Sequence, residues 1–248
     1  MATLQHRRVP KLAEVTISRR ENVTEDLWLI WIEKPEGFTF RPGQYCTIGR
    51  DGVERAYSIV SAPHEEALEL FLELVPLPDG VLTPKLWELQ IGDTVSIRPR
   101  AKGIFVFKPE SPNQVLVSTV TGVVPYISML RDYVHHGRSG HHFYVLQGAS
   151  YLNEFTYDEE LGRLSIERPE LVTYIPTVSR PDEERNAEWT GDTGRVNLIV
   201  ERYAGKFDLA PEDTLIYACG HPGMIEDVKA RMKLKGFQVE EERFWKQD

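Results

Sequence analysis

The segment RAYSIVSAP, residues 55–63, places several chemically useful side chains within four positions. On a β-strand, alternation would put Arg55 and Tyr57 on one face and Ala56 and Ser58 on the other. An arginine fork suits a pyrophosphate, a tyrosine ring suits stacking on a flat heterocycle, and a serine hydroxyl can hydrogen-bond a ring nitrogen. Taken alone, the segment also fits an ordinary strand with an exposed arginine.

A second candidate anion site follows in PDGVLTPKLWEL, residues 78–89. Gly80 is expected in a turn, Thr83 at the N-cap of a short helix and Pro84 at its first position. Successive backbone N–H groups over residues 81–83 would then point at an anion placed there. A plain capped helix explains the same residues.

A third candidate is VLVSTVTGVVPYISML, residues 115–130, which predicts a strand, a tight turn and a helix with Pro125 in its first turn. Backbone N–H groups at such a helix start, together with the helix dipole, suit a phosphate or the edge of a dinucleotide. Gly122 is the one glycine in the segment, and Val120 puts a Cβ where close backbone approach usually requires glycine. A simple strand-to-helix turn is the alternative interpretation.

Short strands must position the first two candidate binding segments, residues 55–63 and 78–89. Residues 13–104 contain six segments rich in β-branched and aromatic residues, bounded by turn signals such as Pro42-Gly43 and Asp51-Gly52. Their spacing predicts an antiparallel barrel interrupted by one short helix, TPKLWEL. The six predicted strands are AEVTISRR, LWLIWIEK, QYCTIGR, RAYSIVS, ALELFLELV and TVSIRPR.

The pattern changes after residues 108–112. Four apolar strand segments, VLVST, FYVLQGA, LVTYIPTVS and TLIYACG, now alternate with helical patterns, as in parallel βαβ units. The last predicted helix runs from about Pro222 to Lys235, with Gly236 as its stop. The predicted fold is therefore two-domain, β plus α/β: an antiparallel β-barrel, residues 1–106, followed by a Rossmann-like parallel-sheet domain, residues 107–248.

The composition argues against several classes of partner and of metal site. A formal net charge of −9 argues against nucleic acid or an anionic membrane surface as a partner. Cys46 and Cys219 stand far apart, so thiolates alone cannot build a zinc site or an iron–sulfur cluster. HHGRSGHH, residues 135–142, fits a polar helix-to-strand loop, and no metal is expected. Since the N-terminus lacks an apolar signal region, we expect a soluble cytoplasmic protein.

Taken together and in order, the candidate segments resemble the bacterial type of the ferredoxin–NADP reductase family, over nearly the whole chain. The fragments that carry the resemblance are RAYS, PDGVLT, STVTGVVPY, TVSR at 177–180, TGR at 193–195, YACGHPGMI at 217–225 and the aromatic tail ERFW at 242–245. Each fragment is weak alone. Their shared order over two domains of the matching class makes the resemblance specific.

The resemblance implies that FAD binds the barrel. Arg55 would hold the pyrophosphate, Tyr57 would stack on the flavin ring, and Ser58 would lie near flavin N5. Thr121 would sit where the two domains meet over the ring, and Trp245, with Phe244 as the alternative, would cover its other face. The remaining flavin-binding residues implied are Ala56 in RAYS, Glu73, Leu74 and Val75 along one lining segment, and Val81, Leu82 and Thr83 in the phosphate cradle.

The resemblance also implies that NADP(H) binds the α/β domain. Ser179 and Arg180 match the pair that holds the 2′-phosphate, and Arg195 matches a second basic contact near the adenosine. Cys219 and Gly220 end a strand beside the nicotinamide, although a buried structural cysteine would look the same. Gly122, Pro222 and Met224 complete the implied nucleotide site. Tyr57, Ser58 and Cys219 are the residues implied next to the reacting atoms.

The implied activity is hydride exchange between NADP(H) and FAD, followed by transfer of single electrons to ferredoxin or flavodoxin. Two alternatives stay open: an oxygenase-type reductase component, possibly using NADH, and a binding module that has lost nucleotide affinity. Three features depart from the family pattern. Val120 replaces a glycine, Ser150 stands where related bacterial enzymes often have an arginine that reaches the nucleotide, and the residues KQD follow the aromatic tail.

Overall fold

The alternating segments in the first half of the chain form one antiparallel sheet in the computed structural model, which describes residues 12–243. Its strand order is β4-β3-β6-β1-β2-β5. The strands are β1 (Ala13–Asn22), β2 (Leu27–Glu33), β3 (Tyr45–Arg50), β4 (Val53–Ser58), β5 (Ala67–Glu73) and β6 (Thr94–Ile97), with helix α1 (Thr83–Trp87) between the last two. All six predicted strands and the helix are confirmed.

This sheet curls into a nearly closed barrel. Just past the end of β4, the backbone N–H of Val60 donates to the carbonyl of Glu69 on β5 at 2.9 Å, so the two edge strands meet. The enclosed core contains the fully buried side chains of Trp28, Ile30 and Ile48. Alternate residues of β1, β3 and β6 are buried, whereas β2 and β5 are buried along most of their length, so continuous apolar runs as well as period-2 alternation specify this half of the fold.

The second half forms an all-parallel sheet of order β10-β9-β8-β7-β11-β12. Its strands are β7 (Asn113–Thr119), β8 (His142–Ala149), β9 (Val172–Val178), β10 (Asp192–Thr193), β11 (Thr214–Gly220) and β12 (Gln238–Arg243). The helices are α2 (Val124–His135), α3 (Asp158–Glu167), α4 (Val196–Lys206) and α5 (Pro222–Leu234). The predicted fold class is confirmed.

Two strands of this sheet escape sequence analysis. β10 is only two residues long, and β12, QVEEER, carries four charged residues in six. Both lie at the edges of the sheet, where a strand pairs on one side only and needs no continuous apolar run. Edge position therefore explains why hydrophobic patterning found only the four inner strands.

The two domains share one hydrophobic cluster. It combines Leu29, Val60 and Phe71 of the barrel with Val123 and Tyr126 of the second domain. Such a continuous apolar contact fixes the relative position of the two sheets. The predicted domain boundary at residues 106 and 107 lies in the connection between β6 and β7, and it stays a prediction.

Polar contacts reinforce the same interface. The Arg131 guanidinium of α2 lies 2.6 Å from a carboxylate oxygen of Glu69 on β5, and Tyr157 donates to the other oxygen at 2.8 Å. Ser128 donates to the carbonyl of Ser61 at 2.8 Å. Over residues 12–243, no helix is both long enough and apolar enough to cross a membrane.

Candidate functional site

Strand β4 presents the first group of predicted residues at the edge of the barrel. Its register with β3 places Tyr57 opposite Cys46 and Arg55 opposite Ile48, which confirms that Arg55 and Tyr57 share a face. Arg55 is exposed, Tyr57 is half-buried and Ser58 is buried. Burial raises the pKa of the Tyr57 phenol, the nearby Arg55 charge partly opposing it, so the ring stays neutral. The strand thus offers a guanidinium, a neutral aromatic ring and a hydroxyl.

The loop between β5 and α1 folds back on itself. The backbone N–H of Val75 donates to the Thr83 hydroxyl at 3.1 Å, and that hydroxyl donates to the Val75 carbonyl at 3.0 Å. A Cβ on Gly80 would lie 1.8 Å from the same carbonyl oxygen, so only glycine fits there. These contacts hold the proposed phosphate cradle, Val81, Leu82 and Thr83, in one conformation.

Thr83 requires a correction. The sequence predicts it as the N-cap of α1, but Leu82 occupies the N-cap with helical dihedral angles and Thr83 is the first helical residue. The Thr83 hydroxyl bonds Val75 rather than the first turn of its own helix, because the returning loop brings that backbone within reach. Leu82 is buried in the barrel core and Val81 is exposed. The predicted phosphate contacts of this segment stay predictions.

The predicted flavin-lining segment, Glu73, Leu74 and Val75, begins at the end of β5. The backbone N–H of Leu74 donates to the Asp26 carbonyl at 2.7 Å, which anchors the segment to the turn before β2. Desolvation of the carboxyl, followed by the charges of Asp26 and Glu154, raises the pKa of Glu73. Glu154 belongs to the second domain, so this segment also lies at the domain junction.

The stretch after β7 forms a 3-10 turn, Val120–Val123, that leads into α2. A Cβ on Gly122 would lie 2.2 Å from the carbonyl oxygen of Cys219, so the glycine is required by close packing against the end of β11. Val120 has a φ of 36°, in the left-handed region that disfavours a β-branched residue. The glycine-like geometry is therefore kept although the residue is valine. Thr121 is half-buried in the same turn.

The end of β11 is locked to the end of β7. Gly220 has a φ of 124°, and a Cβ there would lie 2.3 Å from the Thr119 hydroxyl oxygen. That hydroxyl accepts a hydrogen bond from the backbone N–H of His221 at 2.9 Å. The N-cap of α5 is His221, whose ring nitrogen accepts from Gly223. Two neighbouring strands thus end side by side at the carboxyl edge, where ligands bind in parallel sheets.

Three predicted residues of this segment differ in burial. Cys219 is fully buried, and burial raises the pKa of its thiol well above the usual range, so it is a neutral group. Pro222 is half-buried in the first turn of α5. Met224 is 5% exposed and packs with Val196 and Ile225 in the core on one face of the sheet. The predicted nucleotide contact of Met224 receives no support from this side-chain position.

The predicted 2′-phosphate residues follow β9 and β10, at the other end of the same edge. β10 pairs with β9 so that Thr193 lies opposite Val178, and the chain segments that carry Arg195 and Ser179-Arg180 both leave the sheet just past this pair. The backbone N–H of Gly194 donates to the Val178 carbonyl at 2.8 Å and fixes this alignment. Arg180 and Arg195 are exposed, and Ser179 is half-buried. The backbone segments that carry these three residues therefore lie at one edge of the sheet, and the convergence of their side chains on a 2′-phosphate stays a prediction.

Four residues beside this edge were not predicted from the sequence: Tyr151, Glu183, Arg185 and Asn186. The acidic, polar composition of RPDEERNAEWTGD, residues 180–192, predicts a solvated loop, yet Asn186 within it is 2% exposed. Tyr151 from the turn after β8 contacts Arg180, Glu183 and Arg185 of that loop. No local pattern signals these contacts, since the partners come from segments that only the sheet order brings together.

The predicted C-terminal aromatics, Phe244 and Trp245, lie outside the described residues, so their stacking on a flavin stays a prediction. Among residues 12–243, no group of three or more histidine, cysteine, aspartate or glutamate side chains is arranged to hold a metal ion.

Comparison with known proteins agrees with this architecture. Residues 116–230 match the model of the oxidoreductase NAD-binding domain. The chain is 30% identical to ferredoxin–NADP reductase A of Sorangium cellulosum, over 93% of this chain and 86% of the relative. It is 30% identical to ferredoxin–NADP reductase of Pseudomonas aeruginosa, over 82% of each chain.

A solved structure has the same fold. The ferredoxin NADP+ reductase from Neisseria gonorrhoeae, determined with bound FAD and NADP, superposes with a TM-score of 0.83 at 24% identity. The match covers 96% of this chain and all of the other. The likeness extends over both sheets.

Proposed function

We propose, since the chain belongs to the ferredoxin–NADP reductase family, that it exchanges a hydride between NADP(H) and FAD and exchanges single electrons with ferredoxin or flavodoxin. One structural observation supports this activity best. The barrel end that carries Arg55, Tyr57 and Ser58 and the sheet edge that carries Gly122 meet at the shared apolar cluster, through Val60 and Val123. A flavin on the barrel and a nicotinamide on the sheet would therefore adjoin.

The residues present fit FAD. Its diphosphate requires cationic forks and backbone donors, which the exposed Arg55 guanidinium and the backbone N–H groups of residues 81–83, in the loop held by the Val75–Thr83 hydrogen bonds, would provide. Its ring system requires a flat neutral partner and a polar contact, which Tyr57 and Ser58 provide. Bound FAD supplies the hydride acceptor and the change from two-electron to one-electron chemistry.

The chain itself would position the flavin and the nicotinamide and exclude water from them. Gly122 lets the turn lie against β11, and the Thr119 hydroxyl ties the ends of β7 and β11 together. These contacts fix the edge on which the nicotinamide would rest, and such fixed alignment lowers the entropic cost of reaction. The neutral Cys219 thiol is suited to packing rather than to nucleophilic or acid–base chemistry.

Preference for NADP(H) over NAD(H) is proposed to come from Ser179, Arg180 and Arg195. A 2′-phosphate is a compact dianion, and guanidinium forks with a hydroxyl donor are well suited to it. The backbone pairing of β9 and β10 supports this assignment, and Arg180 and Arg195 are exposed, so a nucleotide could approach them without displacing core side chains.

The experiment begins with the purified full chain. We expect a yellow protein with a flavin spectrum that bleaches anaerobically on addition of NADPH, and more slowly with NADH. Arg180→Ala should lower the NADPH-to-NADH ratio of kcat/KM about tenfold or more, since it removes one charge-assisted contact. Colourless protein that takes up no FAD would refute the flavoenzyme assignment, and equal use of both nucleotides by wild type would refute the 2′-phosphate site.

The electron acceptor is tested separately. Reduced protein is mixed with a ferredoxin and, in a second series, with a flavodoxin, and acceptor reduction is followed by absorbance. NADPH-dependent reduction of either acceptor supports the proposal. Flavin reduction without electron transfer to any member of either class would instead favour a reductase that serves another partner.

A further inference from the structure

Tyr151 lies at the centre of a cluster of charged side chains beside the sheet edge. The Arg185 guanidinium carbon is 3.7 Å from the centroid of its ring, and that of Arg180 is 5.3 Å away. Arg180 also donates to the Tyr151 hydroxyl oxygen at 2.7 Å. One aromatic side chain thus positions two guanidinium groups from different parts of the β9–β10 connection.

A buried asparagine holds this cluster together. The Asn186 side-chain amide donates to the carbonyls of Ser150 at 2.9 Å and Arg180 at 2.8 Å, and its oxygen accepts from the backbone N–H of Leu152 at 2.8 Å. Asn186 follows Arg185 directly, and Ser150 precedes Tyr151 directly. The stacked pair is therefore fixed through its backbone, although the Arg185 side chain itself is exposed.

Glu183 places a carboxylate among these donors. The Tyr151 hydroxyl donates to one of its oxygens at 2.6 Å, and an Arg180 guanidinium nitrogen lies 3.6 Å from the other. The Arg180 and Glu183 side chains are 52% and 50% exposed, so their pairing is weak and can be exchanged for another anion. A phosphate dianion presents the same kind of oxygen acceptors with more charge.

We infer that Arg185, stacked on Tyr151, is a specificity-determining residue for the 2′-phosphate of NADP(H), and that the Glu183 carboxylate competes with that phosphate for Arg180 and Tyr151. The inference rests on the proposed function, because it assigns further residues to the same nucleotide site. It assigns opposite effects to two residues of one loop: loss of Arg185 weakens phosphate binding and loss of the Glu183 charge strengthens it.

The test measures binding of 2′-phospho-AMP to the FAD-loaded protein by calorimetry, with 5′-AMP as the reference that lacks the 2′-phosphate. Arg185→Ala should weaken 2′-phospho-AMP binding about tenfold. Glu183→Gln should tighten it several-fold, and both variants should leave 5′-AMP binding within about twofold of wild type. The NADPH-to-NADH ratio of kcat/KM should move in the same directions.

Two matched controls separate these contacts from general charge effects. Glu184→Gln makes the same charge change one residue along the loop, and Arg19→Ala removes an exposed arginine stacked 4.1 Å over Trp31 of the barrel. Neither control should change 2′-phospho-AMP binding by more than about twofold at moderate salt, where distant surface charges are screened.

Three results would overturn the inference: Arg185→Ala that binds 2′-phospho-AMP like wild type, Glu183→Gln that binds it more weakly, or Glu184→Gln that equals Glu183→Gln. Flavin content and circular dichroism establish that each variant is folded. If wild type is not reduced by NADPH, the proposed function fails, whereas normal reduction with unchanged variant affinities refutes only the roles of Arg185 and Glu183.

Discussion

Two arginine–glutamate pairs show how burial changes what the same groups do. At the domain interface, Arg131 lies 2.6 Å from Glu69, with side chains 22% and 4% exposed. At the nucleotide edge, Arg180 lies 3.6 Å from Glu183, with side chains 52% and 50% exposed. If the pairs separate, the Glu69 carboxylate of the first stays shielded from water, whereas both groups of the second are hydrated. The interface pair therefore fixes the domains, while the edge pair can exchange partners with a ligand.

The interface pair is part of a larger network. Arg131 also contacts both carboxylate oxygens of Glu160, at 2.9 and 2.8 Å. Burial lowers the pKa of Arg131, but hydrogen bonds and charges from Glu160 and Glu69 outweigh it, and the pKa lies above its usual value. Such a network holds α2, α3 and β5 in one arrangement. It therefore keeps the flavin side and the nucleotide side of the proposed site aligned.

The largest expected effect is the loss of unfolding free energy when the Arg131–Glu69 pair at the domain interface is removed. Arg131→Ala leaves the Glu69 carboxylate buried without its cation, and such a loss typically costs about 3–5 kcal/mol of unfolding free energy. Urea unfolding followed by circular dichroism measures it. The matched edge variant, Arg180→Ala, should leave the unfolding midpoint unchanged within error, because its partner stays hydrated.

A second variant distinguishes loss of charge pairing from loss of packing. Adding Glu69→Gln to Arg131→Ala should recover part of the lost stability, because no buried charge then lacks a partner. The comparison between the two pairs breaks down if Arg131→Ala and Arg180→Ala prove equally stable, or if the double variant is less stable than Arg131→Ala alone.

The next largest effect is expected from Gly122→Ala, which tests the close contact between the 3-10 turn and β11. Gly122→Ala adds a Cβ 2.2 Å from the Cys219 carbonyl oxygen, so backbone must move, at a cost of about 1–3 kcal/mol. Flavin reduction by NADPH should slow as well, since the proposed nicotinamide edge shifts. Thermal unfolding and stopped-flow absorbance measure the two effects.

Gly162→Ala is the matched control within α3. A Cβ there meets nothing within 4 Å, so the added methyl group should raise stability by roughly 0.5–1 kcal/mol through helix propensity. A Gly122→Ala protein as stable and as active as wild type would contradict the close packing described for the turn.

The smallest effect concerns Val120, whose left-handed backbone is strained for a valine. Val120→Gly relieves that strain but loses apolar contacts and adds flexibility to the unfolded chain, so stability should change by less than about 1 kcal/mol. Flavin reduction by NADPH should persist. Val120→Ala loses the same contacts but keeps a Cβ in the left-handed region, so it relieves less of the strain and should be the less stable variant. The reverse order would contradict the strain.

Most strands and turns of this protein could be predicted from the apolar segments of the sequence and the positions of its glycines. Segments rich in β-branched and aromatic residues between turn signals predicted all six barrel strands, and the run VLVSTVTGVVPY predicted β7, its turn and the start of α2. Edge strands β10 and β12 were missed because they lack a continuous apolar face. Thr83 was wrongly placed at an N-cap because its hydroxyl partner, Val75, comes from the preceding loop.

The sequence alone determined the order of the barrel elements, the four inner strands of the parallel sheet and the two fold classes. Those features follow from local periodicity and turn chemistry, which neighbouring residues express without help from the rest of the chain. Tertiary structure decided that Arg131 meets Glu69, that Gly122 meets Cys219 and that Arg185 stacks on Tyr151. These partners are distant in sequence, and only the strand order and the packing of two domains bring them together.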